Sequence, residues 1–247
     1  MRWQLFLKKN IKDDFVLLKS ESGINQLLIS NQQQANKINI LSAYLYQYMN
    51  YLAHAYLSFG KPEILVGNMI SDYIKGKKQF DYPSLVQKGI RLHRAIDNYT
   101  DTHDATQELK SFFRPQYRLY SGAFADVVYD HFLANDINEF ENELRLKTFA
   151  ASTYETLDAY ESLFPAMFQK MFPYMKEHDW LYNYRYTWAI EKSFGGVVRR
   201  SAYLTESKIA FEIFTEHYAA MNICYNAFFP DLKKFAAGHL DELLSTS

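Results

Sequence analysis

The sequence lacks the features that mark several large classes of protein. Its 247 residues include a single cysteine, Cys224, which excludes an intrachain disulfide and a CxxC metal-binding motif. No stretch approaches the roughly 20 apolar residues of a membrane span, and the N-terminus lacks the basic and apolar segments of a secretory signal. These absences predict a cytoplasmic protein without a membrane partner, and Cys224 is expected to be a packed thiol.

An excess of charge of one sign is also missing. Lysine and arginine number 27 against 28 aspartates and glutamates, which argues against a broadly basic surface and a nucleic-acid partner. No G-x-S-x-G nucleophile motif or phosphate-binding P-loop occurs. Aromatic residues are abundant, at 17% of the chain, and we interpret them as core and interface packing.

The chain is expected to form one helical domain after a poorly packed extension. Residues 1–48 contain the Asn- and Gln-rich segment LISNQQQANKINIL and show little helical periodicity. From Met49 onward strand signals are scarce, and Pro62 and Pro83 stand where helices are expected to begin. Pro165 and Pro173 are expected to interrupt later helical runs. The predicted boundaries are therefore 1–48 for the extension and 49–247 for an all-α domain.

Acidic and imidazole side chains recur at helical spacing. Val86, Ile90, His93 and Asp97 follow the spacing of a core-facing helical stripe that turns ionisable partway along. Residues four apart lie on one helix face, so such a stripe can aim several ligand atoms at one point. Inward-facing carboxylates need a compensating cation or base, which favours a divalent metal. The alternative is that Asp97 and Asp101 lie on a solvated flank and His93 is a hydrogen-bonded core histidine.

A second acidic segment, GAFADVVYDHFL, carries Asp126, Asp130 and His131, and Asp101 follows one turn after Asp97. Because Asp130 and His131 are adjacent, they point about 100° apart on a helix, so one of them is expected to orient a ligand rather than bind the metal. Just after the first segment, His103 is expected to have a helix-end or loop role.

Five segments together resemble a known family: MNYLAHAYLSF, ILVGNMISDYIKG, GIRLHRAIDNYTD, ADVVYDHFLA and DWLYNYRYTWAIEKSFGGVVRR. They are similar to the acyl carrier protein phosphodiesterases over Met49 to about Pro230. The resemblance implies an all-helical, HD-like bundle related to the HD-type metal phosphohydrolases. It also implies removal of the 4'-phosphopantetheine arm from holo acyl carrier protein with a divalent metal, typically manganese. Family chains begin at the position of Met49, so we hypothesise a misassigned start codon for residues 1–48.

The resemblance also implies roles for individual residues. The implied metal ligands are His54, Asp72, His93, Asp97 and Asp130; Asp126 and His131 are expected either to orient these ligands or to replace one of them. Asp97 and Asp130 are also the implied catalytic carboxylates, together with Arg94 as a phosphate clamp. Each residue also has an ordinary structural alternative: His54 as a core histidine, Asp72 as a solvent-facing acid and Arg94 in a surface salt bridge. Ala95 and Arg91 depart from the family pattern, which puts the phosphate contacts in question.

An acidic carrier protein requires basic residues near the site. Two short basic runs are candidates for carrier contact: Lys75, Lys77 and Lys78, and then Arg199 and Arg200. Such runs are also typical of ordinary solvated surface.

Three functions remain open at this point. The first is hydrolysis of holo acyl carrier protein, and the second is metal-dependent hydrolysis of a nucleotide or small phosphoester. The third is a non-catalytic helical binding protein.

Overall fold

The chain separates into two compact units, Met1–Tyr46 and Gln47–Ser247. The computed structural model describes residues 4–6, 16–20, 23–27 and 51–245. In the first unit, strands β1 (Gln4–Phe6), β2 (Val16–Ser20) and β3 (Gly23–Leu27) form an antiparallel sheet in that order. Leu5 lies opposite Leu18 on the neighbouring strand, and Leu18 in turn lies opposite Asn25. The packing of this segment lies outside the described residues, so the predicted looseness stays a prediction.

The second unit contains helices and no strand between residues 51 and 245, which confirms the all-α prediction for this domain. The α-helices are α1 (Tyr51–Tyr56), α2 (Pro62–Ile70), α3 (Ser84–Thr102), α4 (Asp104–Tyr117), α5 (Ser121–Ala134), α6 (Glu143–Ala159), α7 (Ala166–Glu177), α8 (Trp180–Asn183), α9 (Thr187–Arg200), α10 (Lys208–Glu216) and α11 (Tyr218–Ser245). Short 3-10 segments lie at Ser71–Tyr73, Gly76–Asp81, Arg118–Tyr120 and Glu161–Leu163. Among the described helices, none is long and apolar enough to cross a membrane.

The prolines mark helix starts as predicted, with one exception. Pro62 is the first residue of α2, and Pro83 directly precedes α3, where a missing N–H costs nothing. Pro173 was expected to interrupt the chain but lies inside α7. The helix continues because Phe172 and Met175, on either side of the proline, are buried in the core, and this packing outweighs the lost backbone hydrogen bond.

Helices α2 and α3 touch backbone to backbone at two glycines. A Cβ atom at Gly67 would lie 2.1 Å from the carbonyl oxygen of Val86, and one at Gly89 would lie 2.3 Å from that of Ile64. Any larger residue would force the helices apart. This close contact brings α2 within hydrogen-bond distance of the ionisable part of α3.

Aromatic rings fill much of the core. Phe113 and Phe124 stack with centroids 5.4 Å apart, and Phe194 meets Phe124 edge to face at 5.1 Å. Cys224 is buried, as predicted for a packed thiol. Most of the aromatic content therefore contributes to packing, although Trp188 is 47% exposed.

Candidate metal centre

The stripe on α3 runs from the core to the surface. Val86 and Ile90 are fully buried, His93 is 4% exposed, and the side chain of Asp97 is 44% exposed. The predicted core-facing stripe is confirmed, and its ionisable end lies where the buried face of α3 meets solvent. His54 on α1 is also buried, at 2% exposure, and lies beside this ionisable end of the stripe.

Three side chains meet at this end of α3. Within residues 51–245, one set of His, Cys, Asp or Glu ligand atoms gathers at least three groups: His54, His93 and Asp97, with all ligand atoms within 4.8 Å of one another. Asp97 Oδ1 lies 3.1 Å from His54 Nε2, and Asp97 Oδ2 lies 3.1 Å from His93 Nε2. The two imidazoles stack with centroids 3.9 Å apart. We call these three residues the His-His-Asp cluster.

The side chain of Asn68 sets the tautomer of His54. Asn68 Nδ2 donates to the carbonyl oxygen of His54 at 2.8 Å and to Ser58 Oγ at 3.1 Å, so Asn68 Oδ1 faces the ring. Oδ1 can only accept, so His54 Nδ1 donates to it at 2.8 Å and carries the proton. His54 Nε2 then presents a lone pair, and it is buried without a hydrogen-bond donor. This lone pair points at a carboxylate oxygen of Asp97.

His93 is held in the same orientation by the backbone. Its Nδ1 donates to the carbonyl oxygen of Asn68 at 2.7 Å, which directs Nε2 toward Asp97 and toward Asp72 Oδ1 at 3.2 Å. Burial lowers the pKa of the His93 imidazole, but the carboxylates of Asp97 and Asp72 outweigh burial and hold it well above its usual value. Burial also lowers the pKa of His54, and the neighbouring His93 lowers it further.

The spacing of these atoms fits a divalent metal. Ligand atoms about 2.0–2.2 Å from a tetrahedral or octahedral ion lie about 2.8–3.6 Å from one another. The separations of 3.1 Å on both sides of Asp97 fall inside that range. Two imidazole nitrogens and a carboxylate also form a donor set suited to manganese, iron or zinc, with the proton on His93 Nε2 leaving when a metal binds. His54, His93 and Asp97 are therefore a possible metal-binding group.

Asp72 lies at the edge of this group. It belongs to the 3-10 segment Ser71–Tyr73, directly after α2, and its side chain is 20% exposed. Through its contact with His93, Asp72 is a fourth predicted ligand that lies next to the cluster. Asp72 is therefore not an ordinary solvent-facing acid.

Asp130 does not belong to this three-residue group. It is fully buried on α5, and its two carboxylate oxygens accept hydrogen bonds from the backbone amides of Leu52 at 3.0 Å and Ala53 at 2.9 Å. These amides lie in the first turn of α1, where a carboxylate satisfies unpaired N–H groups and the helix dipole. Asp130 therefore fixes the helix that carries His54, and its carboxylate lies outside the His-His-Asp cluster.

His131 points in another direction, as expected for a neighbour of Asp130. Its Nδ1 lies 2.8 Å from the carbonyl oxygen of Tyr184, and its Nε2 lies 2.9 Å from the hydroxyl of Tyr218. Phe214 packs edge to face against its ring. Both nitrogens are used inside the core, so His131 is a structural histidine here.

Asp126 lies one turn before Asp130 and is partly buried. Burial raises the pKa of its carboxyl group well above the usual value, and the charges of Asp97 and Asp101 raise it further. It therefore lies near Asp97 without belonging to the three-residue group. Asp101 instead forms an ion pair with Lys110, with 2.5 Å between Oδ1 and Nζ.

His103 begins the helix that follows α3. Its Nδ1 accepts from the amide of Ala105 at 3.2 Å, and its Nε2 lies 3.6 Å from Asp231. This confirms the predicted helix-end role.

The Arg94 side chain is held by the segment that follows Asp72. It donates from Nη1 to Gln79 Oε1 at 2.9 Å and from Nη2 to the carbonyl oxygen of Ile74 at 3.0 Å. In this position it ties the segment after Asp72 to α3, and its role as a phosphate clamp stays a prediction. Within residues 51–245 Arg94 forms no salt bridge to an acid, so the alternative of a surface salt bridge is not seen there.

The two basic runs lie on different elements. Lys75, Lys77 and Lys78 are exposed on and just before the 3-10 segment that follows Asp72. Arg199 is exposed at the end of α9, whereas Arg200 is half-buried.

Sequence reasoning missed Asn68. It lies on α2 one turn before Asp72, so the same spacing rule that found the stripe on α3 would have placed both on one face. A buried amide gives no metal-ligand signal by itself, and its role depends on contact with α1.

The family model described as acyl carrier protein phosphodiesterase matches residues 49–232, which include the whole His-His-Asp cluster. The chain belongs to the acyl carrier protein phosphodiesterase family. Two curated members of the family, from Yersinia pestis and Klebsiella pneumoniae, are each 29% identical over 188 residues, covering 76% of this chain and 97% of theirs. A third, from Photorhabdus laumondii, is 28% identical over 182 residues, covering 74% of this chain and 92% of its own. No solved structure matches the chain significantly.

Proposed function

We propose that this protein is a phosphodiesterase that hydrolyses the bond between 4'-phosphopantetheine and the serine of holo acyl carrier protein, leaving the apo carrier. Family membership supports the reaction class, because the relatives carry the name acyl carrier protein phosphodiesterase. The observation that carries the proposal is the lone pair of His54 Nε2, buried beside Asp97 and His93 with no donor.

We further propose that His54, His93 and Asp97 hold a divalent metal, manganese by family resemblance, with Asp72 as an additional ligand. When bound, such a metal lowers the pKa of water and offsets negative charge on phosphoryl oxygens. A further kinship with the HD-type metal phosphohydrolases stays a prediction from resemblance.

The chain's own residues position these ligands. Asn68 keeps the proton of His54 on Nδ1 and accepts from His93 through its backbone oxygen, so both Nε2 atoms face outward. Asp130 anchors the first turn of α1, which carries His54. Residues that orient metal ligands in this way typically change metal affinity about 10–100-fold when mutated. Asp126 and His131 are proposed to support the centre rather than to bind the metal.

The exposed lysines beside Asp72 are proposed to contact the acidic carrier. Replacing Lys77 and Lys78 together with alanine should weaken carrier binding and flatten its salt dependence, because rim charges act mainly on encounter. Lys208, which is also exposed but lies on α10, provides the control. Unchanged kinetics of the double variant at low salt would reject this contact.

The test of the function uses the full chain, Mn²⁺ and holo acyl carrier protein, with intact-mass spectrometry of the carrier. The expected result is metal-dependent loss of the arm and appearance of free phosphopantetheine. Asp97→Asn should abolish this turnover while the protein remains folded. Asp231→Asn, which changes an aspartate beside His103 and outside the cluster, should leave turnover intact. Turnover of a nucleotide or another small phosphoester without release of the arm would favour the second function. Absence of any turnover, with the metal bound, would favour the non-catalytic binding protein.

A further inference from the structure

A cavity of about 750 Å³ lies beside the last turns of α9. Its lining includes Trp180, Tyr184, Trp188, Lys192, Arg199 and Arg200. This volume falls within the roughly 300–1,000 Å³ that is usual for small-molecule sites. None of the three cluster residues lines it, so the metal centre alone does not account for the cavity.

Arg200 is the unusual residue of this lining. Its side chain is half-buried, yet its guanidinium donates no hydrogen bond and forms no ion pair with any acid between residues 51 and 245. By contrast, Arg185 pairs with Glu143 at 2.8 Å. Burying a cation without an anion is costly, so an arginine in this state is suited to an anion brought by a ligand.

Gly196 makes room for this guanidinium. One turn before Arg200 on α9, a Cβ atom at Gly196 would lie 3.2 Å from Nη1 and 3.4 Å from Nη2 of Arg200. Both terminal nitrogens therefore lie against the bare backbone. The planar fork of an arginine held in this way matches two oxygens of a phosphate.

Arg200 also faces the elements that carry the metal centre. Burial lowers its pKa, while the nearby phenols of Tyr51, Tyr184 and Tyr73 raise it. Tyr51 lies on α1 with His54, and Tyr73 directly follows Asp72. The hydroxyls of Tyr51 and Tyr73 are 3.0 Å apart. Arg200 therefore lies near two elements, α1 and the Ser71–Tyr73 segment, that carry residues of the metal centre.

The rest of the lining suits a long, mostly uncharged chain. Trp180, Tyr184 and Trp188 offer apolar faces, and Asn183 and Ser193 offer amide and hydroxyl partners. The lining contains three basic residues, Lys192, Arg199 and Arg200, and two acidic residues, Glu177 and Asp179. Positive charge and an apolar wall with a few polar groups match a molecule with a phosphate at one end and amides along an alkyl chain.

We propose that this cavity binds the 4'-phosphopantetheine arm, with the phosphate on Arg200 and the pantetheine chain along the aromatic wall. This inference rests on the proposed function and adds the site of the arm to it. Gly196 is then a specificity-determining position, since it allows the guanidinium to lie flat.

The test measures binding without turnover. Calorimetry on the metal-free full chain compares free 4'-phosphopantetheine with pantetheine, which lacks the phosphate. The wild-type protein should bind the phosphorylated compound at least tenfold more tightly, and Arg200→Gln should bind both equally. Arg199→Gln, an exposed neighbour, should keep the preference. A wild-type protein without the preference, or an Arg200→Gln variant that retains it, would overturn the proposal.

A second pair of variants keeps the test independent of folding effects. Gly196→Ala would press on Arg200, and Gly195→Ala would add the same helix-favouring methyl group 3.4 Å from Nη1 of Arg199. Gly196→Ala alone should reduce the phosphate preference, and equal effects of the two would count against the proposal. If the wild-type protein shows the preference but leaves holo carrier intact, the proposed function fails and the site stands. If the arm is released but Arg200 has no role in phosphate binding, the proposed function stands and the proposed arm site fails.

Discussion

Replacing Asp97 with asparagine should remove most of the stabilisation that Mn²⁺ gives to this protein. Asp97 uses both carboxylate oxygens, one 3.1 Å from His54 Nε2 and one 3.1 Å from His93 Nε2, so the change affects both histidine–carboxylate pairs of the cluster. A ligand present at 100 times its dissociation constant stabilises the folded state by about 2.7 kcal/mol. If the variant binds 100-fold more weakly, the same concentration gives only about 0.4 kcal/mol.

The difference of about 2.3 kcal/mol corresponds to about 5–9 °C for a domain of this size, at about 2–4 °C per kcal/mol. The assay is thermal unfolding with and without Mn²⁺, and the quantity compared is the increment due to the metal. The increment is the right measure because Asp97→Asn also weakens the metal-free protein, in which Asp97 and Asp72 share His93.

The matched control is Asp231→Asn. Asp231 also lies beside a histidine, with 3.6 Å between Oδ2 and His103 Nε2, but on α11, outside the cluster. It should keep the full increment. A full increment in Asp97→Asn, or no increment in the wild-type protein with any of manganese, iron or zinc, would refute the metal assignment.

Three further outcomes follow from the supporting residues. Asn68→Ala should lower metal affinity about 10–100-fold, measured by metal titration, because the tautomer of the adjacent imidazole is no longer fixed; unchanged affinity would contradict this. Asp130→Ala should lower the free energy of unfolding by about 1–3 kcal/mol for each of the two amides left without an acceptor, measured with denaturant; a neutral effect would contradict its anchoring role. Gly89→Ala should cost at least about 1–3 kcal/mol, since its Cβ would lie 2.3 Å from the oxygen of Ile64. Gly238→Ala, with nothing within 4 Å, should be neutral or slightly stabilising.

Much of the helical domain could be predicted because its signals are local. The spacing of Val86, Ile90, His93 and Asp97 reports one face of one helix, and Pro62 and Pro83 report helix starts. These features do not depend on contacts with distant residues. Pro173 was misjudged for the opposite reason, since its place inside α7 depends on the burial of its neighbours.

The composition of the site could be predicted only in part. The structure brings His54, His93 and Asp97 together and places Asp72 beside them. These residues could be found in the sequence because histidine and aspartate are common metal ligands. Asp130 is also an aspartate at helical spacing, but carboxylates can cap helices as well as bind metals. The sequence does not reveal that its partners are the backbone amides of α1. Spacing identifies side chains that could bind a metal, while the tertiary contact decides which of them face it.

The hydrogen bonds around His54 favour a cation over any metal-free arrangement. With the proton on Nδ1, its lone pair at Nε2 faces Asp97 Oδ1, which places two acceptors together. Moving the proton to Nε2 would transfer the mismatch to Asn68 Oδ1, and turning the amide would sacrifice its bonds to the His54 carbonyl and Ser58. Protonating both nitrogens would satisfy every partner, but burial and the neighbouring His93 lower the pKa of His54. A leftover buried acceptor costs about 1–3 kcal/mol, and a metal between the histidine and the carboxylate removes that cost without disturbing Asn68.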